Sequence, residues 1–153
     1  MRSRSAGPAT SRRAANVLLA IDPGESSGLA WFDRGVLVSA YATTIEQADG
    51  LPVVPLDVVI EIPQIYPHSK SNPNDILRLA ITAGRWIERV RGARIREVLP
   101  RAWKGQTPKP ICHDRAFSRL APSEAHVWRG IVGKGSADVR DAVSLGLWAL
   151  GRK

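Results

Sequence analysis

The stretch Val17-Leu18-Leu19-Ala20-Ile21-Asp22-Pro23-Gly24 constrains this chain more than any other. Five apolar residues run into a carboxylate and then into a Pro-Gly turn. A short continuous apolar run bounded by turn residues predicts a fully buried strand, here Val17 to Asp22. A lone carboxylate at the tip of such a strand is costly to bury unless a cation or hydrogen bonds compensate it. Asp22 therefore either opens a turn, for which Asp-Pro-Gly is suitable chemistry, or belongs to a site. The pattern recurs in Leu56-Asp57-Val58-Val59-Ile60-Glu61-Ile62-Pro63, where Glu61 stands near the end of a second apolar run. Asp138 and Asp141 then open the last helical segment.

The elements between these points follow from periodicity and punctuation. Gly28 to Phe32 and Gly35 to Tyr41 are apolar runs broken by Asp33-Arg34-Gly35, which predicts a hairpin. Residues 42–55 are irregular or carry one short helix. Leu56 to Ile62 is the fourth strand, followed by a polar, proline-rich loop. Asn72-Pro73 predicts an N-cap with proline at the first helical position. Ile76, Leu79, Ala80, Ala83, Ile87 and Val90 then keep helical spacing until Gly92. Ala93 to Leu99 reads as a fifth strand. Short helices are expected near His113 to Leu120 and Ser123 to Trp128, then a glycine-rich loop, and a final helix from Ala137 to Leu150. Meander strands followed by strand–helix units predict an α/β fold, a mixed sheet of about five strands flanked by helices.

Asp22 and Glu61 fall at like ends of two strands that could be neighbours. Asp138 and Asp141 are three apart on a helix and face the same way. Four converging carboxylates repel one another, and divalent cations are the natural compensation. An oxygen-only ligand set favours Mg²⁺, with Mn²⁺ as a substitute, over zinc. Two such ions about 3.5–4 Å apart can activate water for phosphodiester hydrolysis. Asp138 taken alone is also explained by the positive end of the helix dipole.

Charge points to the same class of partner. The chain of 153 residues carries a net charge of +8 and has a pI near 10.5. Arg2, Arg4, Arg12 and Arg13 lie in a segment, residues 1–15, that contains no acid and lacks periodicity. It reads as a disordered basic arm ahead of one folded domain, residues 16–153. The remaining charge is still positive, which suggests a polyanion such as nucleic acid. The single cysteine, Cys112, excludes an intrachain disulfide and suits a reducing compartment. Ser11-Arg12-Arg13 resembles a twin-arginine signature, but Asp22, Pro23 and Gly24 interrupt the apolar stretch behind it. No membrane span fits there, and a cytoplasmic location is expected.

The ordered motifs resemble those of RuvC-type Holliday-junction resolvases, in the RNase H-like nuclease superfamily. "IDPG" after an apolar strand, followed by Gly28 and Trp31, is similar to that family's first motif. "VVIEIPQIY" is similar to the second, and "ADVRDAVSLGLWAL" to the third, in which two acids three apart start a helix rich in small residues. The resemblance spans roughly Val17 to Leu150. It implies an RNase H-like sheet, Mg²⁺-dependent endonuclease activity with two ions per site, and a homodimer acting on branched DNA in recombination and repair. Asp22, Glu61, Asp138 and Asp141 match the family's four metal-binding acids. The segment between the third and fourth strands is short, so a helix usual in the family is reduced or missing; the compact form suits a phage-encoded member.

Candidate DNA contacts follow from charge and position. Lys104 and Lys109 lie in a proline-flanked loop, and Lys134 lies between Gly133 and Gly135; phosphate contacts from such residues supply much of nucleic-acid affinity. Tyr66 could stack on or wedge between bases, or pack in its loop. His113 beside Asp114 reads as a surface histidine. Ser26 and Ser27 read as turn hydrogen-bonding residues. Trp31, Trp86 and Trp148 are expected in the core, and Trp103 and Trp128 to be partly buried. Two other classes remain open. One is a non-catalytic nucleic-acid-binding module on the same fold, or a nuclease for RNA–DNA hybrids or flaps. The other is a kinase-like domain, since "IDPGESSGLAW" also resembles the phosphate loop of the actin and sugar-kinase superfamily.

Overall fold

A computed structural model describes residues 16–48 and 50–152. The basic arm expected over residues 1–15 lies outside the described residues. Three strands form an antiparallel meander: β1 (Val17–Asp22), β2 (Ser27–Asp33) and β3 (Val36–Thr43). β4 (Asp57–Glu61) then pairs parallel to β1, and β5 (Arg94–Val98) parallel to β4. The sheet is five-stranded with order β3-β2-β1-β4-β5. The described residues also form five helices: α1 (Pro73–Arg89), α2 (Pro100–Trp103), α3 (Lys109–Ser118), α4 (Pro122–Arg129) and α5 (Ser136–Ala149).

Most elements form where pattern and punctuation place them. Asn72 caps α1, its side chain accepting from Asn74 N at 3.0 Å, with Pro73 at the first position. Among the described residues of 44–56 there is no helix. The single-turn α2 was not expected from the sequence; Pro100 starts it and no periodic pattern announces it.

Each strand alternates its side chains between the two sheet faces. Leu19 and Ile21 of β1, with Val58 and Ile60 of β4, pack in the core that includes Ala83, Trp86 and Val90 at α1. Ala20 of β1 and Val59 of β4 pack in the other core, with Val139, Ala142, Val143 and Leu145 of α5. Asp22 and Glu61 share the parity of Ala20 and Val59, so period two sends both acids to the α5 face. The parallel register sets Ile21 opposite Ile60, which puts the two acids at the same end of neighbouring central strands.

Helix α5 lies against β1 and β2 at very short range. A Cβ on Gly28 would stand 2.1 Å from the Asp138 carbonyl oxygen, and one on Gly146 would stand 2.2 Å from Phe32 Cε2. Absence of a side chain at these two points lets the helix reach the sheet. Gly28 is also the antiparallel partner of Asp22, so the closest approach of α5 falls beside the strand-end acid. A buried ion pair closes the far side of this layer. Arg152 grips Glu124 at 2.5 and 2.7 Å, and Glu124 also accepts from Leu37 N at 2.8 Å and Ala121 N at 2.7 Å. The Arg152 bond first, then these backbone donors, hold the Glu124 carboxyl at about 2, against the opposing effect of burial.

Gly28→Ala is expected to cost about 3 kcal/mol, because the new methyl meets backbone rather than a movable side chain. Urea denaturation of the variant checks this; a midpoint equal to the parent's would contradict the close packing of α5 on β2.

Candidate metal centre

Three carboxylates meet where β1, β2 and the first turns of α5 come together. Asp22, Asp138 and Asp141 each offer an oxygen, and these lie within 4.8 Å of one another. Asp22 arrives from the end of β1, and the helical pair arrives because α5 rests on Gly28. The loop between β1 and β2 is fixed from behind. Buried Ser27 accepts from Gly24 N at 3.2 Å and from Trp86 Nε1 at 2.9 Å, and donates to Gly24 O at 3.2 Å. Ser27 is thus the turn-bonding residue expected, and Trp86 carries that turn's position into α1.

Glu61 lies on the neighbouring strand but stands outside this trio. The chain folds back after β5 through α2, bringing Trp103 and Lys104 over the end of β4. Trp103 Nε1 donates to Glu61 Oε2 at 2.6 Å, and Lys104 Nζ lies 3.0 Å from the same oxygen. Glu61 still repels Asp22 electrostatically.

Helix α3 supplies the other partners. Lys109 Nζ lies 2.7 Å from Asp141 Oδ2, and His113 Nε2 lies 2.8 Å from Asp141 Oδ1. Contrary to the surface position expected for it, the His113 side chain is 14% exposed. It is a site residue that the sequence reading missed. The signal was present: Lys109 and His113 are four apart, one face of a helix, but nothing in the sequence says that α3 packs on α5.

Electrostatics mark the centre as short of positive charge. The Asp22 carboxyl is raised well above its ordinary range, first by burial, then by the charges of Glu61, Asp141 and Asp138, with Lys104 opposing. Asp138 is also raised, by burial first, against Lys109; Asp141 adds to the rise. Burial disfavours the Lys109 ammonium, but its ion pair with Asp141 and the charges of Asp22 and Asp138 prevail and raise it. Asp141 Oδ2 is buried and has no aligned hydrogen bond, despite the nearby ammonium. A hard cation fits these residues: three converging carboxylate oxygens, with two of the carboxyls held above their ordinary range by burial and mutual repulsion.

The remaining expected contacts surround this centre. Lys134 and Asp138 line a cleft of about 500 Å³ with Ser26, Thr43 and Thr44. Tyr66 is half-buried, with the Arg101 guanidinium 5.9 Å from its ring centroid. Several arginines of the basic stretch are engaged locally: Arg85 with Glu46, Arg91 with Glu88, Arg94 with Asp57, and Arg96 over Trp148. Cys112 is half-buried with its thiol pushed up, by burial first. No helix among the described residues is long and apolar enough to cross a membrane.

Strand order and strand directions define a mixed α/β domain that carries acids at like ends of the neighbouring strands β1 and β4. No family model matches the chain, and no characterised protein matches it in sequence. Solved structures similar to it include Thermus thermophilus RuvC, at 15% identity over 89% of this chain and 97% of that chain, with a TM-score of 0.43. Another is T. thermophilus RuvC in complex with a Holliday junction substrate, at the same identity and coverage and a TM-score of 0.44.

Asp22→Asn removes a buried charge that repels three others. The folded protein holds the Asp22 proton to higher pH than the unfolded chain does, so without a divalent ion stability falls as pH rises from the ordinary carboxylate range through the raised native value. At neutral pH in EDTA the variant is expected to be more stable by ~1 kcal/mol, or about 3 °C in Tm. Differential scanning calorimetry checks this; a lower Tm would mean that the Asp22 charge is already compensated.

Proposed function

We propose that this protein is a RuvC-type endonuclease: a divalent-metal-dependent hydrolase that cuts branched DNA, Holliday junctions among them, as a homodimer. The observation that carries the reading is the convergence of Asp22, Asp138 and Asp141, with Glu61 at the same end of the adjacent strand. The order and spacing of the three acid-bearing motifs support it. In this reading Asp22, Asp138 and Asp141 hold Mg²⁺, or Mn²⁺ in its place, and Glu61 joins Asp22 in completing the site for a second ion. Bound there, such ions neutralise charge on the scissile phosphate and lower the pKa of an attacking water.

The chain's own residues then have distinct tasks. Lys104 and Lys109 carry positive charge to the rim of the acids, where a phosphate would otherwise be repelled. Lys134 does so from the opposite side, beside Asp138. Tyr66, backed by Arg101, offers a ring for stacking against an unpaired base. The arm over residues 1–15 adds sequence-independent phosphate contacts. The single cysteine and basic charge suit a cytoplasmic nucleic-acid enzyme. An exposed stripe on α1 supports the homodimer: Leu77 and Ile81 are 56% and 65% exposed, and Gly84 continues the same face with open space around it.

The decisive assay offers four-way junctions, flaps, RNA–DNA hybrids and linear duplex to the protein with Mg²⁺ or EDTA. Mg²⁺-dependent cleavage of junctions ahead of the other substrates is expected. Asp22→Asn, Glu61→Gln and Asp141→Asn should each lower the cleavage rate about 10³-fold or more, while DNA binding in Ca²⁺ survives. A double variant should lose little more, because residues acting as a unit are non-additive. Retention of near-parental cleavage by Asp22→Asn would rule the mechanism out. Preference for hybrids or flaps would reassign the substrate but not the chemistry.

The dimer is tested separately. Leu77→Glu with Ile81→Glu is expected to convert a dimer to a monomer in light scattering without loss of helicity. A parent that is monomeric at the concentrations used for cleavage would remove the homodimer from this reading.

A further inference from the structure

We propose that His113 is a positioning residue: it holds one oxygen of Asp141 so that the other is kept for the metal ion. This rests on the metal-nuclease reading above. The two oxygens of Asp141 are treated differently by the fold. Oδ1 is bonded to His113 Nε2 at 2.8 Å. Oδ2 faces the Lys109 ammonium at 2.7 Å but has no aligned hydrogen bond. The terminal torsion of an aspartate is broad and roughly two-fold, so a buried carboxylate without a fixed donor would turn. A donor committed to Oδ1 stops that rotation.

The ring of His113 is itself held. It stands edge-on to Trp128, with centroids 6.1 Å apart and planes at 77°. Trp128 is buried and in turn meets Phe117 of α3, 6.0 Å between centroids. The histidine is wedged between α3, α4 and α5, and its Nε2 points at the carboxylate. The two α3 partners of Asp141 therefore differ in kind. Lys109 is 52% exposed on a flexible stem and is displaceable by an ion. His113 is 14% exposed and anchored. With Nε2 committed to Asp141, the histidine is placed to orient a ligand rather than to take a proton from water. Ligating groups are commonly oriented in this way by a fixed outer partner, whose loss costs about 10–100-fold in metal affinity or activity.

Two substitutions separate the bond from the packing. His113→Phe keeps a ring against Trp128 and removes the donor. His113→Gln loses the ring but places an amide N–H near the position of Nε2. The full chain is titrated with Mn²⁺ by calorimetry without DNA, and junction cleavage is resolved into kcat and KM. The parent is expected to bind Mn²⁺. His113→Phe should bind it about tenfold more weakly and lose kcat with KM unchanged, and His113→Gln should recover affinity to within about threefold of the parent. A phenylalanine variant with parental Mn²⁺ affinity, or a glutamine variant as weak as the phenylalanine one, overturns the inference and leaves the nuclease reading standing. A parent that binds no Mn²⁺ overturns the nuclease reading, and the inference falls with it. If His113→Phe does not fold, His113→Gln decides alone: parental affinity supports the bond, and a tenfold loss refutes it.

Discussion

The structure turns on one close contact, the seating of α5 on the β1–β2 hairpin. Only a residue without a side chain at position 28 lets the backbone at Asp138 come so near the sheet. Gly28 is also the cross-strand partner of Asp22. One contact therefore fixes both the depth of the helix and the meeting of its acids with the strand-end acid. At the other end of α5, Gly146 accepts the ring of Phe32, so the helix is set by two points and cannot tilt away at either without opening the core. The small residues of "ADVRDAVSLGLWAL" follow from this geometry.

Such convergence works against stability. Asp22 and Asp141 are almost fully buried, and like charges at this range disfavour ionisation of each other. The protein meets this with cations drawn from one stretch of chain. Lys104 serves Glu61 and Lys109 serves Asp141. The Lys109 side chain is 52% exposed, whereas that of Lys104 is only 17% exposed.

The fold and the convergence of Asp22, Asp138 and Asp141 are legible because they are written in local pattern. Apolar runs with a terminal acid predict strands, and period two then dictates which face Asp22 and Glu61 occupy. The i, i+3 spacing of Asp138 and Asp141 needs only the helix. What was not legible depends on docking between elements distant in sequence. His113 is unremarkable in "ICHDRA", and becomes a site residue only because α3 packs on α5. Trp103 reads as one aromatic among basic residues, yet the α2 turn points its indole N–H at Glu61. Glu124 looks like an ordinary first-turn acid of α4, and proves buried because Arg152, near the end of the chain, returns to it. None of these pairings has a periodicity that a sequence could display.

The division of the four acids into three and one has a physical basis. Asp22, Asp138 and Asp141 hang on β1 and α5, which the glycine contacts lock together, so their spacing is a property of the core. Glu61 hangs on β4, which pairs with β1 and β5, the β5 ladder continuing in the bond from Ile62 N to Val98 O. Its carboxylate is oriented by α2, a four-residue turn with no buried residues of its own. The trio is accordingly set by one strand–helix contact, and Glu61 by a separate strand and turn. Of the two ions proposed here, the one held by the trio needs little rearrangement of the fold. An ion that recruited Glu61 would meet the Lys104 ammonium and the Trp103 N–H already on that carboxylate.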